Sequence, residues 1–448
     1  MFGVISSYTK AAMASLALPG ATWRLWPLFL ASTLFSVSTG AITPMLTLQA
    51  DQGGWAMTSM GILFTLSTAA RIAMTLLIPV LLSRLPANKL IAGSFAIIGL
   101  TTLLPLFGQG SYLSWVGFDI ARGLLIAPAW IAIDLWIYAL TPAHERARVL
   151  TLYVIACNMG YMLGPLLVNE LGLSPTAFMV FSGLVVMSAL PFTLMKAPKV
   201  DYQRPSLGHL KRVFRVCQFT WVACFISGYA SESISSFLGT YGLRLGMSDQ
   251  SALYLLSVFT AGAIVLQYPL SALMDRLPKR PFCLGLLMST FLMLAGVVAL
   301  AQAGMDITLG VFVLGGLCAM VGSLGNAMVG VIFSARDLVL ASTINATFYD
   351  LGDLIGPVLN GTLMDLMGPH GLMVAAMLMF GVSIGFGLYV RNPALAEVPA
   401  RPTVAAPWAA LNHPSFGPTP LPALTAPQLG ATRGLPYNVP LPPDRCGL

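Results

Sequence analysis

Long apolar runs alternate with short polar breaks along most of this chain. A helix that crosses a bilayer needs about 20 apolar residues. Runs of that order fall near residues 25–48, 57–82, 88–107, 112–139, 147–168, 175–195, 215–241, 250–274, 282–302, 307–333, 338–366 and 370–390. They lack the two-residue alternation of a membrane-spanning strand. A backbone in lipid must also find its hydrogen bonds within its own segment. The pattern predicts an all-α membrane protein with twelve transmembrane helices. The longest polar break between runs, residues 196–214, divides them six and six.

The breaks carry a second pattern, a repeat. Residues 270–281 form a charged turn, with Asp275, Arg276, Lys279 and Arg280 around Pro278. A worn copy lies 192 residues earlier, where Ser83-Arg84-Leu85-Pro86 stands against Asp275-Arg276-Leu277-Pro278. At the same offset Gly160-x3-Gly164-Pro165 meets Gly352-x3-Gly356-Pro357, and Glu145 meets Asp337. Separate motifs sharing one offset point to a duplicated six-helix unit, so two six-helix pseudo-repeats are expected. The expected domains are a cytoplasmic segment 1–24, a bundle 25–195, a cytoplasmic linker 196–214 and a second bundle 215–390. A tail, 391–448, holds 13 of the 31 prolines and no helical periodicity, which predicts a disordered cytoplasmic extension. Glycines four apart flatten one helix face and permit close packing. The prolines that follow, Pro165 and Pro357, remove a backbone donor and should bend their helices.

Composition agrees with a bilayer as solvent. Hydrophobic residues make up 57% and charged residues 9%, with a mean hydropathy of +0.82. A water-soluble domain carries about 25% charged residues. The net charge of +7 does not signal a nucleic-acid partner, because its distribution has another cause. Of the 23 lysines and arginines, 20 fall in the termini and in the loops after even-numbered helices, against only Arg244 in the opposite loops. Cytoplasmic loops collect basic residues, so both ends are expected to be cytoplasmic. The six cysteines show no metal-site or redox spacing and are expected to be small core residues.

A few charges fall where lipid disfavours them. Away from their ends, helices 3, 6, 9 and 12 carry none and read as lipid-facing. The deep charges are Arg71 on helix 2, Asp119 and Arg122 on helix 4, Glu232 on helix 7, and Asp350 and Asp353 on helix 11. Such a residue at mid-bilayer costs roughly 2.5–3.5 kcal/mol, so it faces a cavity or a partner. Asp119 and Arg122 are three apart and can neutralise one another. Arg71 and Asp350 lie at comparable depth in opposite halves, which suggests a gate-like ion pair between them. Glu232, with Tyr229 and Ser236 expected on its face, is a candidate proton carrier.

On these features the chain resembles the major facilitator superfamily over about residues 20–392. The turn at Asp275, Arg276, Lys279 and Arg280 is similar to that family's loop Gly-x3-Asp-Arg-x-Gly-Arg/Lys-Arg/Lys, with Ser271 and Pro278 in place of the glycines. Arg84 is what remains of the first-half copy. Arg122-Gly123 looks like the family's helix-4 arginine, which the resemblance associates with proton coupling. Gly160-x3-Gly164-Pro165 is similar to the core of the helix-5 motif of exporters, with Thr151 and Val168 where flanking glycines are usual. Asp134-Leu135-Trp136, Thr141-Pro142 and Glu145-Arg146 resemble a bacterial branch of small-molecule permeases.

The resemblance implies a secondary transporter of the inner membrane that works by alternating access, with the basic loops as a cytoplasmic gate. Its expected partners are a small-molecule substrate, protons and the lipid bilayer, and it is expected to act as a monomer. Proton-coupled export of a drug or metabolite leads. Uptake of an organic anion or nutrient is the alternative, and a non-transporting receptor or assembly factor is another. No GxxxxGK[ST] loop, hydrolytic triad or metal-ligand cluster occurs, so no enzyme activity, cofactor or metal is expected.

Overall fold

The computed structural model describes residues 22–141, 146–194, 218–332 and 335–389. Every described element is helical, and the elements group into twelve rods. In chain order these are α1 (Thr22–Gln52), α2 (Met57–Arg84), α3 (Ala87–Thr101, continued by Leu104–Phe107), α4 (Tyr112–Leu140), α5 (Arg146–Leu171) and α6 (Pro175–Leu194). The second set begins with α7, built of Gln218–Gly228, a π turn Tyr229–Ser233, and Ile234–Arg244. It continues with α8 (Asp249–Arg276), α9 (Lys279–Gln302), α10 (Thr308–Ile332), α11 (Ala335–Met367) and α12 (Gly371–Tyr389). The expected linker and tail lie outside the described residues, as do Glu145 and almost all of segment 1–24.

Among the described residues, nine rods are long and apolar enough to cross a membrane. The other three are α7, broken by its π turn, α10, whose apolar run is Thr308–Ser323, and α11, which carries Asp350 and Asp353. All three line the central cavity described below. The rods expected to face lipid present bulky apolar side chains outward: Leu100 of α3, Leu190 of α6, Leu292 of α9 and Val382 of α12 are all more than half exposed. Only a hydrocarbon solvent makes such a surface favourable.

The duplication is visible in the packing. Gly160 and Gly164 of α5 lie against the α1 backbone at Thr33, Val37 and Ala41. The equivalent glycines of α11, Gly352 and Gly356, lie against α7 at Phe225, Tyr229 and Ser233, each 192 residues on. Gly123 of α4 meets the Ser67 carbonyl of α2, and Gly315 of α10 meets the Phe259 carbonyl of α8, again at that offset. Glycine is required at these points, because a Cβ on Gly164 would stand 2.5 Å from the Ala41 nitrogen. Pro165 and Pro357 do not interrupt their helices. Pro27, Pro44, Pro128, Pro191 and Pro269 also lie inside helices, so the two motif prolines are not set apart.

The halves meet along α2–α11 and along α5–α8. The Thr65 hydroxyl of α2 donates to the Leu354 carbonyl of α11 at 2.9 Å. Its counterpart in the duplication, the Ser257 hydroxyl of α8, donates to the Met162 carbonyl of α5 at 3.0 Å. Gly61 packs on the Pro357 carbonyl and Gly361 on that of Met57, which brings α2 and α11 into backbone contact. Cys157, Cys224, Cys283 and Cys318 are buried and unbridged.

Candidate functional site

Between the halves lies a cavity of about 450 Å³. Its described lining comes from α1, α2, α4, α5, α7, α8, α10 and α11, with nothing from α3, α6, α9 or α12. Three charged side chains line it, Arg71, Arg122 and Glu232. Asp119, Asp350 and Asp353 stand behind them.

Arg71 joins the two halves. Its Nη2 contacts Asp350 Oδ1 at 2.9 Å and Asp353 Oδ2 at 2.7 Å. The Thr68 hydroxyl also donates to Asp353 Oδ2, at 2.7 Å. On α4, Arg122 donates from Nε to Asp119 Oδ1 at 2.7 Å, within one helical turn. Asp119 is 2% exposed, so only the arginine end of that pair reaches the cavity.

Glu232 is different. It faces the cavity, and its carboxylate accepts from the Tyr349 hydroxyl at 3.2 Å. No arginine or lysine lies within ion-pair distance of it among the described residues. Ser236 shares its side and also lines the cavity. Tyr229, expected on the same face, does not. It is fully buried, and its hydroxyl donates to Asn360 Oδ1 at 2.7 Å. Tyr229–Ser233 form a π turn, whose i→i+5 bonding puts more residues into the turn and so shifts the faces that α-helical spacing would give them.

Beyond one end of the cavity the halves are joined by a contact that sequence reasoning missed. Asp365, in the last turn of α11, accepts from the Met57 amide at 2.9 Å, the Thr58 amide at 2.8 Å and the Thr58 hydroxyl at 2.7 Å. Carboxylates are unfavourable at a helix C-terminus and favourable at an N-terminus. Asp365 is misplaced on its own helix and well placed on α2. An acid in the last turn of an apolar helix was the available signal. At the same end Asn169 of α5 donates to the Gln250 carbonyl of α8 at 3.4 Å. From Thr58 to Arg71 is about 20 Å of helix, and the cavity continues past Arg71 toward Trp130, Val154, Gln267 and Ser323.

The basic turns lie at the far end. Arg84 is exposed at the end of α2. Arg280, in the first turn of α9, donates to the Gly387 carbonyl of α12 at 3.1 Å. The side chains of Asp275, Arg276 and Lys279 lie outside the described residues.

Comparison with known proteins gives this arrangement a family. The sequence profile described as the Major Facilitator Superfamily matches residues 28–313 and 220–435. The chain belongs to the Major Facilitator Superfamily. It is thus a multi-pass membrane transporter of a small molecule. Superfamily relatives include an uncharacterized MFS-type transporter, YfkF, of Bacillus subtilis (strain 168), 26% identical over 59% of this chain and 70% of that one. The uncharacterized MFS-type transporter YcaD of Salmonella dublin is 25% identical over 58% and 68%. Among solved structures, a bacterial homolog of the human lysosomal transporter Spinster, inward-facing and unoccupied, superposes with a TM-score of 0.65 at 15% identity, covering 85% of this chain and 98% of its own. The nucleoside transporter NupG gives 0.64 at 12%, covering 83% and 98%. A D-xylose-proton symporter gives 0.63 at 14%, covering 81% and 97%. At such identities the likeness concerns the superfamily fold.

Proposed function

We propose that this protein is a proton-coupled secondary transporter that exports a small solute by alternating access. The observation that carries the reading is Glu232, a carboxylate facing a cavity between two halves with a hydroxyl rather than a cation beside it. Such a group can take up and release a proton as water reaches it from alternate sides. The moving bodies are the bundles 25–195 and 215–390, rocking about the cavity. In the present state the halves are held through Asp365 and Arg71, and the cavity extends toward the basic end. In the other state the loops with Arg84, Asp275, Arg276, Lys279 and Arg280 close that end, which we place in the cytoplasm of an inner-membrane protein. The helix-5 motif at Gly160, Gly164 and Pro165 favours export. Uptake of an organic anion is the weaker reading, because both arginines are already engaged by aspartates.

The test uses the purified chain in liposomes loaded with a pH-sensitive dye. Uridine, xylose, benzoate and ethidium are supplied in turn as a solute gradient. The expected result is solute-dependent proton movement in the opposite direction, abolished by Glu232→Gln. Protons moving with the solute would overturn export. Solute moving with no pH change, and equally well in Glu232→Gln, would overturn proton coupling.

A further inference from the structure

The central cavity carries more information than its size. Two arginines and four carboxylates form its charged set, a formal sum of −2. Arg71 is shared by Asp350 and Asp353, and Arg122 is matched by Asp119. That leaves the Glu232 carboxylate as the one charge facing the cavity, among the described residues, that no ion pair neutralises. A low-dielectric chamber amplifies such an imbalance. Five aromatic side chains share the lining: Phe64, Trp130, Tyr161, Phe259 and Tyr349. Aromatic faces attract cations. Hydroxyls of Ser231, Ser235 and Ser236 accompany Glu232 and supply neutral polar contacts. The volume suits an ordinary small-molecule ligand.

From this combination we infer that the cavity takes a monovalent organic cation with an aromatic or bulky apolar body, its charge against Glu232 and its body among the rings. The inference rests on the transporter reading and names the substrate class of the same site. An anion of equal shape meets net negative charge and no free arginine. A proton and the cation compete for the Glu232 carboxylate, since it can neutralise only one of them, and this gives exchange a chemical basis. The π turn holds Glu232 at the cavity while Tyr229, three residues earlier, anchors the helix to Asn360.

The probes are tetraphenylphosphonium and tetraphenylborate, ions of one shape and opposite charge. Their binding to the full chain in detergent is measured calorimetrically, with empty micelles subtracted. The phosphonium is expected to bind at least tenfold more tightly than the borate. Glu232→Gln is expected to weaken the phosphonium at least tenfold, whereas Glu232→Asp retains most of the affinity. Equal binding of the two ions, no phosphonium binding, or indifference to Glu232→Gln would overturn the proposal. The comparison of the two ions needs only the unmodified chain, so a poorly folded variant does not remove the test. Phosphonium binding without any proton flux in liposomes would count against transport and leave the cation site standing. Proton flux with benzoate and no phosphonium binding would do the reverse.

Discussion

One nitrogen of Arg71, Nη2, makes both contacts to Asp350 and Asp353, while its Nε is buried without a partner. The bridge is therefore paired but not saturated. Removing the cation strands two neighbouring acids, and breaking a buried pair in this way costs about 3–5 kcal/mol. Removing one acid leaves the other in place. Thermal unfolding in detergent is expected to rank Arg71→Gln as most destabilising, then Asp353→Asn, then Asp350→Asn. Asp353 comes second because it is the deeper carboxylate and also holds Thr68. A larger loss from Asp350→Asn than from Asp353→Asn would refute the ranking. Depth along two helices made the Arg71–Asp350 meeting legible in the sequence, because helix rise converts residue number into height. The partner of Glu232 was not legible. Tyr349 lies on another helix, and rotation about a helix axis is set by packing rather than by spacing.

At the scale of the helix, small residues spoke most clearly. Gly160-x3-Gly164 and Gly352-x3-Gly356 each admit a neighbouring backbone, a requirement that composition alone expresses. Gly164→Ala should separate α1 from α5 and destabilise the protein by roughly 1–3 kcal/mol, as overpacking does. Gly183 of α6 has open space where a Cβ would go, and Gly183→Ala is expected to be neutral or slightly stabilising. Equal melting shifts for the two variants would contradict the packing role. The π turn in α7 left no such trace. One extra residue in a turn is not encoded by local propensity, and Tyr229 within it bonds a residue on another helix, Asn360. An α-helical wheel therefore placed Tyr229 beside Glu232, where the structure separates them.

For the molecule as a whole, the scaffold is duplicated and the charges are not. The positions matching Arg71, Asp350, Asp353 and Glu232 at the repeat offset are Ala263, Asn158, Tyr161 and Gly40, and all four line the cavity. Among the described residues the two seams between the halves therefore differ: α2–α11 carries ion pairs and α5–α8 carries neutral bonds. Twelve helical rods in two sets of six could be read from hydropathy, because the bilayer imposes length and apolarity on nine of the described rods and the other three keep long apolar runs around their polar residues. The contact at Asp365 could be read on one side only: the acid stands out in the last turn of its helix, but two of its three donors are peptide nitrogens that no residue type marks. Asp365→Ala removes three hydrogen bonds there and should shift the protein toward opening at that end. A single cysteine replacing Phe64, with the native cysteines changed to serine, would then react several-fold faster with an impermeant maleimide added from that side. An unchanged rate would mean that Asp365 does not hold the seam. Two of those three donors are peptide nitrogens, which every residue but proline supplies. The Met57 side chain, buried in the core, thus takes no part in these bonds, while the Asp365 side chain accepts all three. Inference of contacts from paired substitutions among relatives would see this seam only faintly, for the Thr58 hydroxyl is the one donor among the three that a substitution other than proline can remove.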